Sequence, residues 1–175
     1  MDTDPFTLLV NEIAKVLEGS KAVKLAMGNA RKNIRAYNKM RGTENLDVTA
    51  ESDVPEILIE ASGGPTNINL ASNLASFDMG FTLFINSGDQ RVNQVMLPVL
   101  WSIWATLADG INNSTILSLT WQNRPFVKKY EFQNVAVGKS NPDLNRGIKG
   151  WTAICSLMFH MMFQKSDLTT FVQAV

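Results

Sequence analysis

The sequence is short of the residues that do chemistry. It has one cysteine, Cys155, and one histidine, His160. A lone thiol cannot form an intrachain disulfide, so nothing points to an oxidising compartment. A tetrahedral zinc site needs several Cys or His ligands, and none of the recognised spacings can be built. An excess of charge of one sign is missing too. Sixteen basic residues stand against 16 acidic ones, which excludes a globally basic nucleic-acid binder. Long apolar runs are absent: the most apolar stretch, Val92 to Leu107, contains Gln94, Pro98 and Ser102 and falls short of the ~20 residues that span a bilayer. The opening Met-Asp-Thr-Asp-Pro lacks the basic and apolar regions of a signal peptide. The chain is therefore expected to be made as a soluble intracellular protein.

What remains is ordinary globular material. In 175 residues, 45% are hydrophobic and 18% charged. This suits one domain that buries about 70% of its unfolded surface and needs neither disulfide nor structural metal. The composition argues against disorder, collagen-like repeats and low complexity.

A first helix is predicted from Asp4, a suitable N-cap, and Pro5, a suitable first helical residue. Phe6, Leu9, Val10, Ile13 and Leu17 then form one stripe of a 3.6-residue period, and Gly19-Ser20 ends it. Residues 20–43 hold Lys21, Lys24, Arg31, Lys32, Arg35, Lys39 and Arg41, seven of the 16 basic residues, and no acid. With few apolar residues, this segment is expected as a basic arm or long surface loop. The stretch Glu44 to Glu60 reverses the sign.

Beyond residue 54 the pattern is mostly strand. Ile57 and Ile59 mark one strand, Gly63-Gly64-Pro65 breaks it, and Thr66 to Ser76 reads as a loop. Phe77, Met79, Phe81, Leu83 and Ile85 alternate with mainly polar residues, the clearest strand in the chain. A second helix is expected over about 90–108, kinked or restarted at Pro98 and closed by Gly110. Trp101 and Trp104 flank its inner face, and so little polar surface implies burial on the sheet or against a partner. Ile116 to Trp121 reads as a short strand. From Phe126 to Val137 the alternation changes phase, as a β-bulge would make it. A polar loop, 138–150, follows. Trp151 to Phe163 is apolar on both faces, as in a central strand. The tail, 164–175, has room for a capped helical turn.

No catalytic motif emerges. His160 reads as a packed or edge-facing strand residue, and Cys155 as a small buried hydrophobe. Five residues apart on one strand, they face opposite ways roughly 16 Å apart and cannot form a dyad. Gly63-Gly64-Pro65-Thr66 lacks the lysine of a P-loop. The acids of Glu44 to Glu60 lack the spacing of a calcium loop. Met158, Met161 and Met162 suit core filling or an adaptable surface. No catalytic, cofactor-binding or metal-ligating residue is assigned, and no cofactor is expected. The seven basic residues of 20–43 are the candidate contact residues. They suit a solvated loop, a neighbouring acidic subunit, or phosphates bound in a salt-dependent way.

The expected fold is α+β: an antiparallel or mixed sheet of about five strands carrying two main helices, in one domain over 1–175. This order of elements resembles the tail terminator (tail completion) proteins of long-tailed bacteriophages. The likeness is carried by Phe6 to Leu17, strands Val54 to Ala61 and Phe77 to Asn86, helix Val92 to Leu107, and strands Phe126 to Val137 and Trp151 to Phe163. It is a likeness of pattern over almost the whole chain rather than of a motif. It implies a non-enzymatic virion protein: a hexameric ring on the tail tube that ends polymerisation and forms the tail side of the head–tail junction. The implied partners are further copies of itself, the tail tube protein and a head-side connector or neck protein, with no membrane. The implied place is the virion tail, after synthesis in the host cytoplasm. Two alternatives stand beside it: a nucleic-acid-binding module using Lys21 to Arg41 with a DNA contact, and another neck or connector adaptor.

Overall fold

The chain is described from a computed structural model over residues 4–27, 34–36, 56–70, 73–87, 96–139 and 151–174. Helix α1 (Pro5–Gly19) starts as its sequence dictates. Asp4 Oδ1 accepts from the backbone N–H groups of Phe6 (3.0 Å) and Thr7 (2.9 Å), and Oδ2 from the Thr7 hydroxyl (2.7 Å). These bonds satisfy donors that the first turn would otherwise leave open. The apolar stripe, with Leu9, Ile13 and Leu17 fully buried, faces the sheet.

Residues 20–43 depart from the expected arm where they are described. Ser20 ends α1 and caps a second helix, α2 (Lys21–Ala26), accepting from Val23 N at 3.3 Å. Its hydroxyl also pairs with Thr106 Oγ1 at 2.7 Å. Val23 and Met27, one turn apart, are buried, and Ile34 in β1 (Ile34–Ala36) is buried too. On α2, Lys21 and Lys24 thus flank buried Val23, which joins the core.

One sheet holds β1, β2 (Glu56–Ala61), β3 (Thr66–Asn69), β4 (Leu74–Ser87), β7 (Val127–Lys139) and β8 (Trp151–Gln164). The order is β1-β2-β4-β8-β7, with β3 beside β2 on the same flank of β4. Among the described residues only β1 and β2 pair in parallel, so the sheet is mixed. The fold is α+β. Strands β4 and β8 run antiparallel without a register shift from Leu74↔Gln164 to Ser87↔Trp151. Strand β3 lies in the stretch expected as a loop. All its side chains are exposed, so no apolar alternation announces it. The β2–β3 connection presses on β4 at Gly80, where an added Cβ would sit 3.4 Å from Ser62 Oγ and 3.6 Å from Gly63 N.

Strand β7 carries two register shifts, one between Val127 and Lys129 and one between Phe132 and Asn134. The second is the phase change expected from the sequence; it brings Val135 opposite Cys155 on the inner face.

Helix α3 (Leu97–Ala108) has Pro98 in its first turn, where the missing N–H costs nothing. Residues 90–95 of the expected helix lie outside the described residues. Its far end corrects the sequence reading. Asp109 closes α3 and opens α4 (Gly110–Leu117), its carboxylate accepting from Ile111 N (3.1 Å) and Asn112 N (3.3 Å). Gly110 therefore begins a helix, and the start of the strand expected at 116–121, Ile116 and Leu117, is the end of that helix. Only β5 (Thr120–Trp121) survives, paired with β6 (Arg124–Pro125). The tail forms a ten-residue helix, α5 (Lys165–Ala174).

Odd-numbered residues of β4 and β8, among them Phe81, Leu83, Cys155, Leu157 and Phe159, form the core with α1–α4. Phe159 meets Phe81 edge-on at 5.3 Å and stacks on Tyr130 at 4.9 Å. A second aromatic group, Phe6, Phe77, Phe163, Phe126 and Trp121, ties α1 and the β5–β6 hairpin to the end of β8.

Substituting Asp4→Ala removes the whole α1 cap and is expected to cost about 1 kcal/mol, against a few tenths for Asp4→Ser. Urea midpoints of the two variants check this, and equal midpoints would contradict it.

Candidate functional site

The helices cover one face of the sheet. The other face, built from even-numbered residues, is uncovered by any helix among the described residues. Register places Asp78 beside His160, Gly80 beside Met158, Thr82 beside Ser156 and Phe84 beside Ile154. Across β7, Lys129 pairs with His160 and Glu131 with Met158. Met158 and Met162 are half-buried here while Met161 is in the core. Of this cluster, Met161 alone takes the expected core-filling place among the fully buried residues.

A polar group crosses three strands on this face. His160 Nδ1 donates to Asp78 Oδ1 at 2.7 Å, and Asn67 Nδ2 donates to Asp78 Oδ2 at 2.7 Å. Asn67 adopts φ 52°, in the left-handed region that asparagine tolerates better than most residues. Its hydrogen bond, first, and that of His160, second, hold the Asp78 carboxyl below its ordinary 3.8. Lys129 Nζ meets Glu131 Oε1 at 2.9 Å alongside, which raises the lysine's pKa.

Cys155 lies on the opposite, buried face, where desolvation pushes its thiol up to about 11. It carries no thiolate to attack with, and the strand geometry separates it from His160 as expected. Among the described residues no three or more His, Cys, Asp or Glu side chains gather as a metal site. No helix of the described residues is long and apolar enough to cross a membrane. A shallow cavity of about 240 Å³ opens between the β5–β6 hairpin and the end of β8, lined by Trp121, Phe126, Phe163 and Gln164. The Arg124 guanidinium at its mouth pairs with Asp167 at 3.3 Å.

The expected contact residues are only partly placed. Lys21 is exposed and Lys24 half-buried on α2, three residues apart and so neighbours on its surface. Arg35 falls in β1. Arg31, Lys32, Lys39 and Arg41 lie outside the described residues. What sequence reasoning missed is the Asn67–Asp78–His160 group, because strand alternation assigns faces but not partners 82 residues apart. The flanking tryptophans were visible: Trp101 and Trp104 stack at 5.0 Å on the outside of α3.

No family model matches the sequence, and no curated protein matches it.

Two outcomes follow from the site. A lowered carboxyl pKa contributes stability that is present above 3.8 and lost as pH falls through the lowered folded value. Asp78→Asn should therefore flatten the decline of the urea midpoint below pH 4 relative to the wild type; parallel profiles would show that the group contributes nothing. In the folded protein at pH 8, Cys155 should resist iodoacetamide and react only on unfolding, as mass spectrometry can follow. Rapid alkylation of the native chain would contradict its burial.

Proposed function

We propose that the protein is a structural, non-catalytic virion component that caps a phage tail tube as a hexameric ring and forms the tail side of the head–tail junction. The observation that carries this reading is one-sided coverage. Four helices sit on one sheet face, while the face of Asp78, Met158, His160 and Met162 meets no helix among the described residues. A broad, mixed polar and apolar face suits contact with another folded protein better than a small substrate, which needs a concave pocket.

The element order supports it as well. Helix α1, strands β2 and β4, helix α3 and strands β7 and β8 follow the succession on which the likeness to tail terminators rests. The added α2, β3, α4 and α5 lie between or after these elements and leave their order intact.

Light scattering on the purified protein, alone and with a short DNA duplex at low and moderate salt, tests the reading. The expected mass is that of a hexamer, unchanged by DNA. A monomer that shifts onto DNA only at low salt, and no longer does so after Lys21→Ala and Lys24→Ala, would replace it with nucleic-acid binding through the basic segment. A monomer indifferent to DNA would overturn ring formation by the free protein.

A further inference from the structure

The two edges of the sheet are guarded unequally. An open strand edge offers unpaired N–H and C=O groups to any other chain, and proteins blunt such edges with charge, proline or bulges. Strand β7 does this mainly in its first half, where Lys128, Lys129 and Glu131 and both register shifts lie, and again at its last residue, Lys139. From Asn134 to Gly138 it pairs regularly with β8 and carries no charge. Among the described residues its outer edge has no partner strand.

That unguarded half is continuous with an apolar surface. The second bulge turns Val135 and Val137 to the helix-covered side, yet α3 does not reach over them, and Val135 stays 50% exposed. On α3, Trp101 (66%) and Trp104 (44%) stack on each other, and Trp104 reaches Phe132, three residues before Val135 on the same strand, at 6.5 Å between ring centroids. With Leu97, also exposed, this surface leaves about 400 Å² of apolar area in water, given roughly 200 Å² per aromatic side chain. A patch of about that size is the largest that an ordinary monomer exposes, and such a patch is often functional. It is about half of the roughly 800 Å² per partner that a stable interface covers.

The other flank of the sheet is bounded by β1, outside β2, and by β3, which pairs with β4 at Asp78 and Ser76. Strand β3 pairs only with β4 among the described residues. No charge occurs from Ser62 to Leu70, and Ile68 and Leu70 are 61% and 67% exposed.

We infer that the β3 edge of one copy, led by Ile68 and Leu70, docks on the β7 edge of the next, at Asn134 to Gly138 and the Trp101–Trp104 face. The occupant is a second copy because the chain itself carries both uncharged edges, on opposite sides of one sheet. The strand edges and the β3 side chains supply the interface area that the tryptophan face lacks. Such a contact is head-to-tail, and a head-to-tail contact whose rotation closes makes a ring. The inference rests on the ring reading for that closure and assigns the surfaces that make it.

Complementation between two edge variants tests it. One carries Trp101→Lys and Val135→Lys, the other Ile68→Lys and Leu70→Lys. All four positions are exposed, and unchanged circular dichroism and urea midpoints confirm folding. Each variant alone is expected to be a monomer by light scattering where the wild type is a ring. An equimolar mixture is expected to stop at dimers, because one good edge of each kind pairs and two blocked edges remain. If the wild type forms a ring and the β7 variant forms it equally well, the surface is wrong and the ring reading stands. If the β3 variant assembles like the wild type while the β7 variant does not, the contact does not use β3. A mixture that stays monomeric also overturns the head-to-tail pairing. A monomeric wild type removes the ring reading, and this inference with it.

Discussion

The uninterrupted pairing of β4 with β8 is the constraint on which the structure turns. The two longest strands share every residue from Leu74↔Gln164 to Ser87↔Trp151. A slip of one residue would turn the side chains of a strand to the opposite face, so this ladder decides in one stroke what is core. Phe81, Leu83 and Ile85 join Leu157, Phe159 and Met161 on the inner face. Asp78 and His160 are left together on the outer one. Burying Phe81, Phe159 and their neighbours contributes about 1.5–3 kcal/mol per side chain, whereas the mostly half-buried outer pairs add less. The helices follow the same logic: α1 and α3 lie where the apolar side of the ladder needs covering.

Strand β7 shows how the ladder passes its order outward. Its two register shifts change which residues look inward, placing Tyr130 and Phe132 opposite Phe159 and Leu157. Tyr130 then stacks on Phe159 and donates its hydroxyl hydrogen to the Leu107 carbonyl near the end of α3. Burial raises the tyrosine's pKa, which keeps that hydroxyl a donor across the ordinary pH range. The same shifts leave Val135 and Val137 facing inward beyond the reach of α3. An edge that is well anchored at one end and uncovered at the other is thus a direct product of the bulges.

Much of this was legible in the residues, and the gaps have physical causes. The α1 stripe with its Asp4-Pro5 start, the alternation of β4, the two-sided apolarity of β8 and the phase change in β7 are local signals, and each appears in place. Strand β3 was hidden because an edge strand exposed on all sides has no apolar period. Helix α4 was hidden because Asp109 can end one helix and start another, and a glycine at 110 reads as a stop. Helix α2 was obscured by charge: Val23 and Met27 are one turn apart, but lysines surround them. The site was the least legible part. Asp78 and His160 each sat on a foreseeable strand face, yet only the long-range register brings them within 2.7 Å.

The distribution of charge gives the last step. The chain's 32 charged residues are spread unevenly, with lysines and glutamate on the first half of β7, only the terminal Lys139 on its second half, and none on β3. An unguarded edge in a lone molecule invites indiscriminate pairing and aggregation. The same edge, matched to a second one on the opposite flank, is satisfied only when copies join in a fixed sense. A closed ring leaves none of these edges open, while an open chain of any length always leaves two. In the proposed ring, closure would turn a liability of the monomer into the term that favours a defined assembly. In that proposed pairing, the bulged and charged start of β7 would confine contact to the half of the strand nearer the tryptophan face.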